Sequence, residues 1–239
     1  MKTNVTLNGK TFNGIERFIL DNKVFRYIGG VPEGYTVIRG IRNPNGAYIN
    51  IGMPVRSTDK IEISFNYDDA NTAIGILLGW RVSGGAADGN QLMISKGDVS
   101  TGVTAVLGRF IAVGKAVSTT SLNGKINVFD DNDTNVSIDF SSGAIQVNNV
   151  AADVPVDTSK VFSNGSSVVN PILFGINSAG TPAGMKGFGE TYLYGFSIVR
   201  NGEYVVEMIP VKKSDGTVGM YDIARDQFFG SSNANAFAE

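Results

Sequence analysis

The chain reads as an all-β sandwich, and three observations carry that reading. Turn-forming pairs punctuate it densely: Asn-Gly at Asn8, Asn13, Asn45, Asn123, Asn164 and Asn201, and Asp-Gly at Asp88 and Asp215. Such pairs accept the positive φ angles of tight hairpin turns. The runs between them are short and alternate apolar with polar residues. No stretch sustains a 3.6-residue apolar repeat over three turns. Many short strands with regular turn signals are the signature of a sandwich or barrel. With 239 residues, 42% of them hydrophobic, the chain can build one substantial core without covalent staples.

Taken in order, Val5–Leu7, Thr11–Phe12, Phe18–Leu20 and Lys23–Tyr27 read as a small meander of strands. A boundary is expected near Gly29-Gly30-Val31-Pro32, dividing a short N-terminal β element (1–34) from a sandwich domain (35–239). An element this short buries little alone and needs a surface to dock on. In Lys60–Tyr67, Ile61, Ile63, Phe65 and Tyr67 alternate with Glu62, Ser64 and Asn66, which predicts a half-buried strand. In Ala73–Arg81 both phases are apolar, as in a central strand covered on both faces. Thr101–Ala116 is apolar with Arg109 and Lys115 as its only charges, and Ala179–Gly189 is a small-residue loop carrying Met185 and Phe188. Both fit either intramolecular packing or a subunit contact. Thr191–Arg200 and Tyr204–Val211 flank Asn201-Gly202 as a hairpin, followed by a turn at Ser214-Asp215-Gly216 and a strand ending in Gly219-Met220-Tyr221-Asp222.

The chemistry is mostly one of exclusions. With no cysteine, disulfides, thiolate nucleophiles and Cys-based zinc sites are excluded. With no histidine, the usual neutral-pH proton shuttle goes too. A net charge of −2 offers no general attraction to nucleic acid or to anionic membrane. No run approaches the roughly 20 apolar residues of a spanning helix, and the opening residues lack the apolar stretch of a secretory signal. None of the seven glutamates, Glu16, Glu33, Glu62, Glu190, Glu203, Glu207 and Glu239, belongs to an E-x-D-x-x-E triplet. That triplet is the acid pattern of many glycan hydrolases built on sandwich folds. Glu203 and Glu207, four apart on a strand, are expected on one solvated face. An enzyme is therefore not expected.

Four stretches resemble a known family. The closing segment from Thr191 to Phe237, with its Ile209-Pro210 strand end and its Lys213–Asp222 turn and strand, resembles the end of concanavalin A-like (LamG-like) domains of tailed-phage virion proteins. Residues 35–67 resemble the opening of those domains, with Ala47–Ile51 as an early strand paired with the one carrying Ile61-Glu62. Thr134–Val147 is similar to a hairpin of that family, and Ile172–Asn177 to a further strand. The eight residues Arg39–Gly46 depart from the family pattern at a surface turn. Residues 4–15 resemble the opening of phage tail and baseplate proteins. The resemblance implies a concanavalin A-like jelly-roll β-sandwich preceded by an attachment element. It implies a non-enzymatic virion protein, a head decoration or fibre or a tail receptor-binding part. Its partners would be other virion proteins, further copies of itself in a homo-oligomer, and a host-surface glycan. Two alternatives stay open: a glycan-binding module of a bacterial surface or prophage protein, and a glycan-active hydrolase.

Candidate sites are few. Asp130, Asp131 and Asp133 offer clustered oxygens of the kind calcium takes, and calcium occurs in several concanavalin A-like families. Counted from Asp130, an EF-hand loop would need glycine and glutamate where Asn135 and Ser141 stand, so a polar turn is the competing reading. Asp68-Asp69 is read as a turn first. Aromatics that could stack on a sugar are Trp80, Tyr48, Tyr67, Tyr192 and Tyr194, with Trp80 and Tyr48 as the candidates retained. Tyr192 and Tyr194 share a phase with Phe196 and Ile198, which assigns them to the core.

Overall fold

The structure is a computed structural model. It describes residues 31–66, 75–81, 91–96, 110–113, 119–120, 133–151, 158–162, 165–167, 169–184 and 188–239, and the strand backbones within 5–27. In chain order its strands are β1 (Val5–Leu7), β2 (Lys10–Phe12), β3 (Glu16–Leu20), β4 (Lys23–Tyr27), β5 (Tyr35–Val37), β6 (Ile41–Asn43), β7 (Ile49–Asn50) and β8 (Lys60–Asn66). There follow β9 (Gly75–Arg81), β10 (Gln91–Lys96), β11 (Phe110–Val113), β12 (Thr119–Thr120), β13 (Asp133–Asp139), β14 (Ala144–Val147) and β15 (Val150–Ala151). After one helical turn, α1 (Thr158–Val161), come β16 (Ile172–Leu173), β17 (Gly175–Ser178), β18 (Thr181–Gly184), β19 (Phe188–Arg200), β20 (Glu203–Lys213), β21 (Val218–Asp222) and β22 (Gln227–Phe229).

The expected all-β sandwich is what forms. One sheet runs β15-β14-β13-β8-β19-β20-β21-β22, with β5 paired to β20 and β6 to β19. The other runs β12-β11-β10-β9-β16-β7, with β17 also paired to β9 and β18 paired to β17. Their inner faces meet in one apolar core. Ile61, Ile63, Phe65, Val136, Ile138, Leu193, Phe196, Ile198, Val206 and Met208 come from the first sheet, and Ile49, Leu78, Trp80, Leu92, Ile94 and Leu173 from the second. Strand β8 alternates buried and half-buried along its length, as period two requires. Both phases of β9 are buried, at Ile76, Leu77, Leu78 and Trp80, as expected of a central strand. The hairpin β1-β2 and the hairpin β3-β4 are separate two-stranded sheets.

The β19–β20 hairpin turns on Asn201 (φ 53°) and Gly202 (φ 84°), the paired positive angles of a type I′ turn. The early strand expected at Ala47–Ile51 shrinks to β7 and lies in the opposite sheet from β8, paired with β16. This corrects the pairing with the Ile61-Glu62 strand, whose neighbours are β13 and β19. The strand expected over Ile172–Asn177 is also broken. Phe174 adopts φ 59°, so β16 runs antiparallel to β9 and β17 runs parallel to it along the same edge. The chain reverses within a very tight space. A Cβ on Gly175 would come within 2.2 Å of the Ala183 carbonyl oxygen, so only glycine fits there.

Two ends of the sandwich are tied by long-range contacts. Asp59, fully buried, receives two bonds from Arg200 (Nε to Oδ1 and Nη2 to Oδ2, 2.8 Å each) and one from the Arg56 backbone. At the other end residues 230–239 cross between the sheets. Asn233 Nδ2 donates to the Gly46 carbonyl, Ser232 N to that of Tyr48, Ala238 pairs with Arg42, and Phe237 packs on Phe174 at 5.6 Å. A small second cluster, Ile209, Val211 and Tyr221, sits on the outer face of the first sheet and is covered by Val31, Tyr35, Ile223 and Phe228. The chain thus enters the sandwich across the outer surface of β20 and β21.

Candidate functional site

The site is set by a fault in strand regularity. Tyr192 pairs with Asn66 and Leu193 with Phe65, but the next partner of β8, Ser64, faces Gly195. Tyr194 is the extra residue of a β-bulge, and a bulge reverses which phase of a strand faces inward. Leu193 and Phe196 are therefore both buried, while Tyr192 and Tyr194 turn to the outer face. This corrects the expectation that the two tyrosines share the core phase of Phe196 and Ile198.

On that outer face the two rings are stacked, with centroids 6.5 Å apart and planes 18° apart. An arginine flanks each. The Arg39 guanidinium carbon is 5.6 Å from the Tyr194 centroid, and that of Arg42 is 5.7 Å from the Tyr192 centroid. Both lie within cation–π range but outside close stacking. Tyr194 lies against Gly40, where an added Cβ would meet ring atom Cδ1 at 2.9 Å. Arg42 is steadied by a bond from its Nε to the Glu239 backbone oxygen at 3.2 Å.

Beside the rings, β13 and β8 supply polar groups in register: Asp133 faces Asn66, Asn135 faces Ser64 and Ser137 faces Glu62. Ser64 Oγ donates to Asn135 Oδ1 at 2.5 Å, Ser197 Oγ donates to Glu62 Oε2 at 3.2 Å, and Lys60 Nζ pairs with Glu62 at 2.9 Å. Asp133 stands 4.0 Å from Arg39 Nη2. The Tyr194 hydroxyl is pushed up to about 12, first by burial, then by the Asp133 carboxylate, through both its charge and the hydrogen bond it accepts, against the opposing pull of Arg39. A raised value means that the neutral phenol supports the fold fully below pH 10, its ordinary value. That support is lost as pH rises through about 12. In an alkaline ultraviolet titration, Tyr194→Phe should remove one late-ionising phenol. Among the described residues Tyr221 remains, pushed up to about 12 by its hydrogen bond to Asp226. If the late phase keeps its full amplitude in the variant, the proximity of Tyr194 to Asp133 is wrong.

The retained aromatic candidates fall elsewhere. Trp80 has no exposed surface and is wedged against Phe140 and Phe162, so it cannot stack on a ligand from solvent. Tyr48 is half-buried beside Gly184, near the second sheet's β7, and is not part of the tyrosine face. Tyr67, Asp68, Asp69, Asp130 and Asp131 lie outside the described residues, as do Met185 and nearly all of Thr101–Ala116. Asp133 opens β13 and engages Arg39 and Tyr194. Among the described residues no three carboxylates converge on one point. A second bulge corrects the reading of Glu203 and Glu207 on one face. Ile198 pairs with Val206 and Val199 with Tyr204, leaving Val205 unpaired, so the two glutamates turn to opposite faces.

Comparison with known proteins adds little. No protein family matches the chain, and no curated protein matches it. Among solved structures, a mutant NanB sialidase from Streptococcus pneumoniae is similar at 11% identity and a TM-score of 0.35. The match covers 84% of this chain and 37% of that one, and a likeness so loose assigns nothing.

Proposed function

We propose that the protein is a non-enzymatic structural and adhesion component of a tailed-phage particle, with a sugar-binding face on its sandwich. The observation that carries the sugar-binding part is the outward turn of Tyr192 and Tyr194. Two adjacent rings flanked by guanidinium, carboxylate, amide and hydroxyl groups match what a sugar needs, an apolar C–H face and several hydroxyls. The phage setting rests on the resemblance of residues 35–67 and 191–237, with the N-terminal element as the attachment piece. A shallow face of this kind binds weakly per copy. Many copies in a homo-oligomer or on one particle convert that into firm attachment to a host-surface glycan.

The non-enzymatic reading is supported by how the described carboxylates are used. Asp59 and Asp222 are locked to Arg200 and Arg225, and Glu62 is held by Lys60 and Ser197. The same face equally suits a glycan-binding module of a bacterial surface or prophage protein. Docking onto particles that lack the protein separates the two settings. For the face itself, the test is glycan binding by wild type and by Tyr192→Ala and Tyr194→Ala. Each ring lost should weaken binding by about tenfold, the equivalent of ~1.4 kcal/mol. Unchanged affinity in both variants would remove the site. Release of reducing ends by the wild type would overturn the non-enzymatic reading.

A further inference from the structure

We infer that the ligand of the tyrosine face is a neutral sugar, one of whose hydroxyls bridges Arg39 and Asp133. This rests on the sugar-binding reading and narrows it to a ligand class. Arg39 Nη2 and Asp133 Oδ1 are 4.0 Å apart, too far for a direct hydrogen bond, and their side chains are 79% and 48% exposed. Guanidinium only donates and carboxylate only accepts, whereas a sugar hydroxyl does both. A hydroxyl oxygen at ordinary hydrogen-bond distance from each atom, about 2.8 Å, fits across that gap. It accepts from Arg39 and gives its proton's hydrogen bond to Asp133.

The acceptor is already positioned. Asp133 opens β13 in register opposite Asn66, beside a Tyr194 ring that lies against Gly40. A sugar seated at Tyr192 and Tyr194 therefore presents its rim hydroxyls to the Asp133 carboxylate and to an exposed Arg39 guanidinium. A carboxylated sugar fits the same gap poorly. Its anion would gain Arg39 but meet Asp133 at short range, and like charges that close repel.

The experiment titrates the full chain with neutral gluco-, galacto- and manno-configured tetrasaccharides and with the same tetramers oxidised at C6 to uronates. Binding is read by ligand-observed NMR at low and high salt. At least one neutral tetramer should bind, its affinity should change less than twofold with salt, and its uronate form should bind at least tenfold more weakly. Asp133→Asn should weaken the neutral ligand by about tenfold and narrow its preference over the uronate. Arg39→Gln should weaken the neutral ligand without narrowing that preference. Tighter, salt-sensitive binding of the uronates overturns the inference while leaving the sugar-binding reading intact. So does a neutral ligand indifferent to both replacements but lost in Tyr192→Ala. If no tetramer of either class binds, both the inference and the reading beneath it fail.

Discussion

Arg200→Ala is expected to cost about 3–5 kcal/mol of folding stability, because it strands the Asp59 carboxylate in the interior without its counterion. Asp59 has no exposed side-chain surface, and Arg200 keeps only 14% of its own. The two bonds of 2.8 Å between them tie the loop before β8 to the end of β19, 141 residues away. Burial of an ion pair is weak evidence that the pair stabilises the fold, since desolvating both charges offsets most of their attraction. Removing one partner is a different matter. Chemical denaturation should show the loss as a lowered midpoint with an unchanged slope. The double replacement Asp59→Leu with Arg200→Met should recover at least half of it, because no charge is then left buried. A single replacement within experimental error of wild type would show that water reaches Asp59.

Trp80→Ala is expected to cost a similar amount, about 3–5 kcal/mol, by opening a cavity that its neighbouring elements cannot close. The indole stands on central strand β9 between Phe140, 6.4 Å away at the end of β13, and Phe162, 6.2 Å away just after α1. Those two rings meet edge to face at 4.9 Å. Strand pairing holds β9 and β13 in place, so neither can collapse inward. At this chain length each kcal/mol lowers the melting temperature by roughly 2–4 °C, and calorimetry should resolve the change easily. Trp80→Phe is the control. Among the described residues the indole Nε1 has no hydrogen-bond partner, so the smaller ring gives up volume and no polar contact. Its cost should be well under half that of alanine, and an equal cost would mean that the nitrogen is bonded after all.

What could be read from residues alone was whatever depends on local pattern. The Asn201-Gly202 turn, the alternation of β8 and the doubly covered β9 each have a signal contained within ten residues. The tyrosine face does not. Tyr192, Tyr194, Phe196 and Ile198 are spaced as one phase, and nothing near them marks Tyr194 as the bulged residue. The bulge follows from pairing with β8, 126 or more positions earlier, where Ser64 takes Gly195 as its partner. Gly195 was the nearest available hint, since glycine inside a strand often marks a bulge. Val205 gives no such hint, and Glu203 and Glu207 were misplaced for that reason. The bonds from Arg200 to Asp59 were equally out of reach, as no periodicity links residues so far apart. Phe174 is harder still: a bulky side chain at φ 59° runs against local preference and is held there by its packing on Phe237.

The crossing made by residues 230–239 bears on how the chain is born. The first strands of the sandwich, β5 and β6, pair with β20 and β19, and Phe237 fills a place in the core. At ribosomal speed, the roughly 150 residues between Ile41 and its partner Leu193 take on the order of ten seconds to emerge. Through that interval β8 lacks its neighbour β19, and β9 lacks β16 until shortly before its end, so neither sheet can be completed. Folding of this sandwich is a late event that follows synthesis of β19 and β20, and its high proportion of distant pairings makes it slow thereafter.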